Sequence, residues 1–313
     1  MRAMTLDSYG LEPRVTELPA PVAKEREVLV RVHATSVNPI DWKQASGRYR
    51  PFLTAAFPFV PGYDLAGVVE ALGPGVTGFA VGQRVHTRLS GRAGGANAEL
   101  VRAGLDVLRP MPEGMDFEQA AGLPLAGMTA LQGLRDVGGL PMTGARQRVL
   151  IIGASGGVGH LAVQLAAAAG AQVTGVCSAR NAELVRRLGA SSVIDYGTPD
   201  AYAGVPPFDL VFDCVGSAPG AFLHLVAAGG RFASCVPGPA VFVRRALNVL
   251  SSKAVLPVLL SPNAKDLGTL DALFAQEKLE VIIDGRFDAA QLAEAWKRSA
   301  TGRTVGKLVV TWR

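Results

Sequence analysis

The chain reads as an α/β protein of two domains, one β-rich and one a doubly wound parallel sheet. Three observations carry that reading. An apolar run, Val149-Leu150-Ile151-Ile152, ends in a glycine-rich turn over residues 153–159 and passes at once into a strong helix-forming run. From about residue 118 onward, apolar β-runs alternate with helical segments, the rhythm of a parallel sheet with crossover helices. Before that point the texture is one of short strands punctuated by glycine and proline.

The elements follow in order. Residues 27–34 alternate as a half-buried strand, and residues 64–73 form another, closed by the turn Gly73-Pro74-Gly75 before a run at 81–85. In the central part the strand Arg148–Ile152 leads to the helix Gly159–Ala169, and the strand Gln172–Cys177 to a helix over 179–188. Short strands follow at Ser192–Asp195, 210–213 and 230–235, with a helix near 220–228. A helix over 266–276 is expected to close this unit. The tail returns to strand texture at 279–283, carries a helix over 289–299, and ends in the strand Lys307–Thr311. The chain is therefore expected to cross back and complete its first domain. The expected division is 1–118 with 279–313, and 119–278.

A length of 313 residues suits two domains, and 49% apolar residues suffice for two cores. Abundant glycine with few aromatics fits tight helix–sheet packing. No apolar run reaches the ~18 residues of a membrane span, and residues 1–7 lack the apolar core of a signal peptide, so a cytoplasmic location is expected. Cys177, Cys214 and Cys235 make no disulfide framework and read as buried, unpaired thiols near strand ends. The net charge of +5 is modest, and no dense Lys/Arg run with interleaved aromatics appears, so nucleic acid is not an expected partner.

The glycine turn is the most telling feature. A strand feeding a helix through such a turn gathers backbone N–H groups and the positive end of a helix dipole on one spot, which suits a dinucleotide pyrophosphate. Against the pattern G-x-G-x-x-G the register is Ala154, Gly156 and Gly159, with alanine for the first glycine. An NAD site would place Asp or Glu about 20 residues on, at the end of the next strand. Here that strand ends in Cys177-Ser178-Ala179-Arg180, and Glu183 lies already inside the following helix. A hydroxyl at Ser178 and a guanidinium at Arg180 suit a 2′-phosphate, so NADPH is expected over NADH.

Five stretches then resemble one known group: Ser36-Val37-Asn38-Pro39-Ile40-Asp41-Trp42-Lys43, Pro61-Gly62-Tyr63-Asp64-Leu65-Ala66-Gly67, Pro124-Leu125-Ala126-Gly127-Met128-Thr129-Ala130, residues 153–159, and Asp213-Cys214-Val215-Gly216. With the closing Gly306-Lys307-Leu308-Val309-Val310, they resemble the medium-chain dehydrogenase/reductase superfamily in its zinc-independent quinone oxidoreductase branch. The resemblance covers nearly the whole chain. It implies a GroES-like catalytic domain built from both chain ends, a Rossmann domain between them, NADPH in the cleft, and a homodimer. It further implies Thr129 near the nicotinamide, Ser155, Gly156, Gly157 and Val158 at the pyrophosphate, and Val215 among the cofactor contacts. Ser178, Arg180 and Tyr196 would lie around the adenosine 2′-phosphate, and Lys307 would match a basic position that approaches the cofactor.

Zinc enzymes of the same superfamily need cysteine and histidine ligands that this chain lacks. No cysteine precedes Cys177; Asn38 stands near the place of the first cysteine ligand, and Pro61-Gly62-Tyr63-Asp64 replaces a Gly-His-Glu segment. The isolated His33 and His86 do not make a tetrahedral site, and His33 reads as structural. Without a Lewis acid, alcohol oxidation is disfavoured, whereas reduction of a quinone or an activated C=C needs only donors or a cation near the developing oxyanion.

The resemblance puts the loop from Asn38 to Tyr49 at the nicotinamide. Lys43 is the candidate cation or proton donor, Asn38 an amide donor, Tyr49 a phenol donor, and Asp41 a residue that orients Lys43 or the loop. The same loop also reads as a turn with an Asx bond. Some family members carry tyrosine where Lys43 stands, which leans the expectation toward enones. An enoyl-thioester reductase is the alternative, with Arg48, Arg50 and Arg92 read either as solvated surface charges or as a basic path for phosphopantetheine. A zeta-crystallin-like protein that senses NADPH or binds RNA is the alternative of another class. Phe52, Phe57 and Phe59 are either cleft walls or core. The run over 255–260 is either an edge strand paired across a dimer or an internal strand.

Overall fold

The structure, a computed structural model, describes residues 1–50, 53–91 and 94–312. Phe52 and Arg92 lie outside the described residues. The chain divides into two compact units: Met1–Ala126 with Pro262–Gln276 and Val281–Arg313, and Gly127–Ser261 with Glu277–Glu280.

The first unit is built on a seven-stranded sheet that joins both ends of the chain. Its order is Ile283–Asp288, Lys307–Thr311, Glu27–Val37, Asp64–Leu72, Arg84–Arg88 and Arg109–Pro110, with Leu100–Gly104 also pairing on Glu27–Val37. Only the first two run parallel; the other pairs are antiparallel. Glu27–Val37 is the spine. Val28, Val30, Val32 and Val37 enter a core completed by Leu65, Val69, Val85, Leu308, Val310, Trp296 and Trp312. β-Branched side chains dominate because they pack well on a pleated surface. His33 stacks face to face on Phe117, with ring centroids 4.3 Å apart. Phe59 is core, while Phe57 meets Tyr9 edge to face at the surface.

Two expectations need correction here. The strand anticipated at 279–283 is instead Ile283–Asp288; Leu279 and Val281 are buried without joining a ladder, so their apolar pattern marks core filling and not pairing. The helix expected at 266–276 runs over Ala264–Ala275 and belongs to the first unit. Asn263 caps it, accepting from Asp266 N, and Ala264 N donates to Asp106 O. Its Asp271 faces His86 Nε2 at 3.0 Å and accepts from Arg109 Nε at 3.4 Å, while His86 Nδ1 meets Ala120 O at 3.1 Å. The compact units change over at 126, around 262–276 and at 281, against boundaries expected at 118 and 279.

The second unit is a six-stranded parallel sheet of order Ser192–Asp195, Gln172–Cys177, Arg148–Ile152, Phe208–Asp213, Val226–Ser234 and Ala254–Pro257. In sequence order this is 3-2-1-4-5-6, the doubly wound Rossmann arrangement. Val149, Leu150 and Ile151 are fully buried, as a strand covered on both faces requires. The helix Gly159–Ala169 is apolar nearly all round and ends at Gly170, whose left-handed backbone lets its N–H bond back to Ala166 O and Ala167 O. The helix expected at 220–228 is confined to Pro219–Phe222 and one 3₁₀ turn, because Val226 already pairs with Phe208 in the sheet. The run at 255–260 contributes the edge strand Ala254–Pro257, paired on one side with Val226–Ser234.

Candidate active site

Strand order reverses between Arg148–Ile152 and Phe208–Asp213, so the segments leaving their carboxyl ends border the crevice where doubly wound sheets bind ligands. The first segment is the glycine turn. Gly153 takes the left-handed backbone (φ +77°), and a Cβ there would fall 2.4 Å from Val215 Cγ1. Gly156 N donates to Gly153 O at 3.0 Å. A Cβ on Gly159 would fall 2.0 Å from Gly153 O, so the helix can start under the turn only with glycine at 159. Ala154 is tolerated because Gly175 faces it from the neighbouring strand, leaving a Cβ at 175 only 3.0 Å from Ala154 Cβ. The left-handed residue of the turn is Gly153, its first position, just before the motif register at Ala154.

Ser155, Gly157 and Val158 lie in this turn, and Ser155 Oγ accepts from Asn181 Nδ2 at 3.0 Å, a partner the sequence motif does not contain. The helix Gly159–Ala169 has no side-chain cap at Val158. With the space kept open by glycine, this helix end fits a dinucleotide pyrophosphate. Val215 is exposed beside the turn, and Asp213 Oδ1 accepts from its N–H at 3.2 Å.

The adjoining strand ends carry the polar residues expected around the 2′-phosphate. Ser178 is half-buried and Arg180 exposed after Gln172–Cys177, and Tyr196 N donates to Cys177 O, bringing the 64% exposed Tyr196 beside them. No carboxylate occupies the end of that strand. Thr129, on the helix Pro124–Gln132, is 7% exposed.

A buried polar cluster organises the first unit. Lys307 Nζ donates to Asn38 Oδ1 at 2.6 Å and to Val37 O at 3.2 Å. Asn38 Nδ2 donates to Asp64 Oδ2 at 2.8 Å and to Ser36 Oγ at 3.4 Å, and Ser36 Oγ donates to the same carboxylate oxygen at 2.8 Å. Leu125 N satisfies Asp64 Oδ1 at 3.0 Å. Asn38 N donates to Asp41 Oδ2 at 2.7 Å, which fixes the start of the helix Pro39–Ala45. Asp41 Oδ1 is buried with no partner among the described residues. Burial raises the Asp41 carboxyl to about 7; the Asn38 N–H, Lys307 and Arg88 pull it down, and Asp64 pushes it further up. Burial likewise raises Asp64 and lowers Lys307, against the attraction between them.

The arrangement places two of the expected site residues in the cluster. Asn38 is 2% exposed and has both amide hydrogens engaged by Ser36 and Asp64. Lys307 is 3% exposed and its ammonium is engaged inside the cluster. Asp41 accepts from the Asn38 N–H at the start of the helix Pro39–Ala45. Lys43, on the helix Pro39–Ala45, and Tyr49, in the turn after it, are half-buried, with Lys43 Nζ 5.3 Å from the Trp42 ring centre. Burial raises the Tyr49 phenol, keeping it protonated near neutrality. Arg50 stacks on Tyr9 at 4.9 Å, and Arg48 is exposed.

Two family models match the chain: an alcohol dehydrogenase GroES-like domain over residues 24–122 and a zinc-binding dehydrogenase over 188–310. Zinc does not fit the residues present. Among the described residues no group of three or more His, Cys, Asp and Glu could hold a metal ion. Asp64 is already satisfied by Ser36, Asn38 and Leu125, with the Lys307 ammonium as its countercharge. The chain is 38% identical to the chloroplast envelope quinone oxidoreductase homolog of Arabidopsis thaliana, covering 99% of this chain and 98% of that protein. It is 31% identical to the chloroplastic NADPH-dependent alkenal/one oxidoreductase of the same plant, over 99% and 79% of the two chains. The solved quinone oxidoreductase of Coxiella burnetii superposes with a TM-score of 0.89 at 31% identity, over 100% of this chain and 99% of that one. With its end-to-end sheet, its doubly wound central sheet and these relatives, the chain belongs to the medium-chain dehydrogenase/reductase superfamily and is an oxidoreductase of the quinone oxidoreductase type.

Proposed function

We propose that the chain is an NADPH-dependent reductase of quinones or α,β-unsaturated carbonyls that works without zinc. The observation that carries the cofactor choice is the end of the strand Gln172–Cys177, where Ser178 and Arg180 stand and no carboxylate does. A 2′-phosphate meets donors there, whereas a free 2′-hydroxyl lacks its usual acceptor. The NADPH-dependent relative among the matches supports the same choice. The names of the relatives support quinones and alkenals or enones as the substrate class.

Bound nicotinamide supplies the hydride, and the chain supplies position and charge. The 153–159 turn and the first amides of the helix Gly159–Ala169 hold the pyrophosphate. Asn38, Asp41, Asp64 and Lys307 form a rigid base for the 38–49 loop. From that loop Lys43 stabilises negative charge developing on the conjugated oxygen, and the protonated Tyr49 is a proton source.

The test is NADPH oxidation followed over quinones, 2-alkenals, cyclic enones and enoyl-CoAs, with wild type and Lys43→Ala. We expect turnover of quinones or enones, insensitive to EDTA, and a roughly tenfold to hundredfold lower kcat/KM in the variant with the KM for NADPH unchanged. Turnover confined to enoyl-CoAs, or full activity in Lys43→Ala, contradicts this reading. A homodimer is also proposed, on the edge strand Ala254–Pro257 and the exposed Phe242, Val243, Leu247, Val249 and Leu250 before it. Light scattering that returns a monomer mass removes it.

A further inference from the structure

The parallel ladder sets two cysteines side by side at the carboxyl edge of the central sheet. Asp213 is registered opposite Ser234, and the next residues are Cys214 and Cys235. Cys235 N donates to Asp213 O at 3.0 Å, so the ladder continues to the cysteines. Neighbouring strands lie about 4.8 Å apart, and disulfides span Cα separations of about 4.4–6.8 Å. Both thiols are free and part-exposed.

The surroundings hold this geometry firmly. Asp213 Oδ2 accepts from Ser234 Oγ at 2.8 Å and from Ser217 N at 2.9 Å, tying together the loops that leave the two strands. Beyond the cysteines the loops touch again, for a Cβ on Gly216 would meet Val236 Cγ1 at 3.1 Å. The pair also borders the glycine turn. The ideal Cβ position at Gly153 is 3.8 Å from Cys214 Cβ and 2.4 Å from Cγ1 of the next residue, Val215. Cys177, by contrast, is buried at the end of another strand.

We propose that Cys214 and Cys235 form a reversible intrachain disulfide under peroxide and that this bond weakens dinucleotide binding at the adjoining turn. The second half rests on the cofactor reading above. The Cys235 sulfur attacks one peroxide oxygen, breaking the O–O bond to give a sulfenic acid and water. The Cys214 sulfur then displaces a second water from it, closing the S–S bond. In sum two thiols and one hydrogen peroxide give one disulfide and two waters. Burial and then Cys235 push the Cys214 thiol well above its ordinary value, which disfavours Cys214 as the first to react. Closing the sulfurs to about 2.05 Å draws the two loops together and shifts Val215 against Gly153.

The experiment treats the full-length protein with hydrogen peroxide, maps disulfides by mass spectrometry without reduction, and titrates NADPH by fluorescence before and after. The expected map shows a Cys214–Cys235 bond within one chain and Cys177 free. NADPH affinity falls by about tenfold and recovers with dithiothreitol, and Cys235→Ser shows neither bond nor change. A map without this bond, a change that persists in Cys235→Ser, or equal affinities of the mapped disulfide and dithiol forms overturns the proposal. Reduced protein that does not bind NADPH overturns the cofactor reading and with it the proposed effect on binding, while the disulfide map still decides the bond itself.

Discussion

Lys307 places its ammonium 2.6 Å from Asn38 Oδ1, and Asn38 relays that contact to Asp64 2.8 Å away. The chain offers a lysine and an aspartate to the same buried space and uses one amide to hold them in place. Removing one partner of such a set leaves the others desolvated and unpaired. Lys307→Met is therefore expected to cost roughly 3–5 kcal/mol of stability, read by urea unfolding. A midpoint equal to that of wild type would show that the cluster is not held by its lysine.

The cluster also predicts a pH dependence. Folding raises the Asp41 carboxyl from 3.8 to about 7, so the folded state holds a proton that the unfolded chain has lost. Its contribution is fully present below the unfolded value and is lost as pH rises through the folded one. The loss is bounded at on the order of 4 kcal/mol between pH 4 and pH 8. Asp41→Asn, which keeps an acceptor for Asn38 N, should lose less stability than wild type from pH 5 to pH 8. Parallel curves for the two proteins would contradict it.

The two glycines of the turn should behave differently. Gly159→Ala drives a methyl to 2.0 Å from Gly153 O, whereas a methyl at Gly156 meets the same oxygen at 3.3 Å. NADPH affinity is expected to fall at least about tenfold in the first and less than about threefold in the second, by isothermal titration with circular dichroism as the fold control. Equal losses would mean that close approach at 159 does not shape the site.

Arg180→Ala tests cofactor choice. Loss of a guanidinium that serves only a 2′-phosphate should weaken NADPH by about tenfold to hundredfold and leave NADH within about twofold. Equal weakening of both would assign Arg180 a different partner.

Much of this was legible in the sequence, and the failures have a common physical source. The parallel strands announce themselves because each is a short apolar run bounded by glycine or polar residues, and the run ending at Ile152 fixes the turn after it. Leu279 and Val281 show the same apolar pattern yet only plug the core, since burial does not require a ladder. The helix Ala264–Ala275 follows the central unit in the chain but binds His86 and Arg109 of the first, a partnership no local pattern encodes. Asn38 is likewise a plausible donor until the three-dimensional structure supplies Asp64 and Ser36 to use up its hydrogens. The close approach of Ala154 to Gly175 on the neighbouring strand is another contact that no local pattern encodes.

The pairing of Lys307–Thr311 with Glu27–Val37 sets an order of assembly. The six strands of the central sheet are complete by Pro257, so that unit can finish while the chain is still emerging from the ribosome. The first unit begins earlier and must end later: 269 residues separate Lys307 from the asparagine it binds. Until they are made, Asn38, Asp41 and Asp64 wait without their lysine.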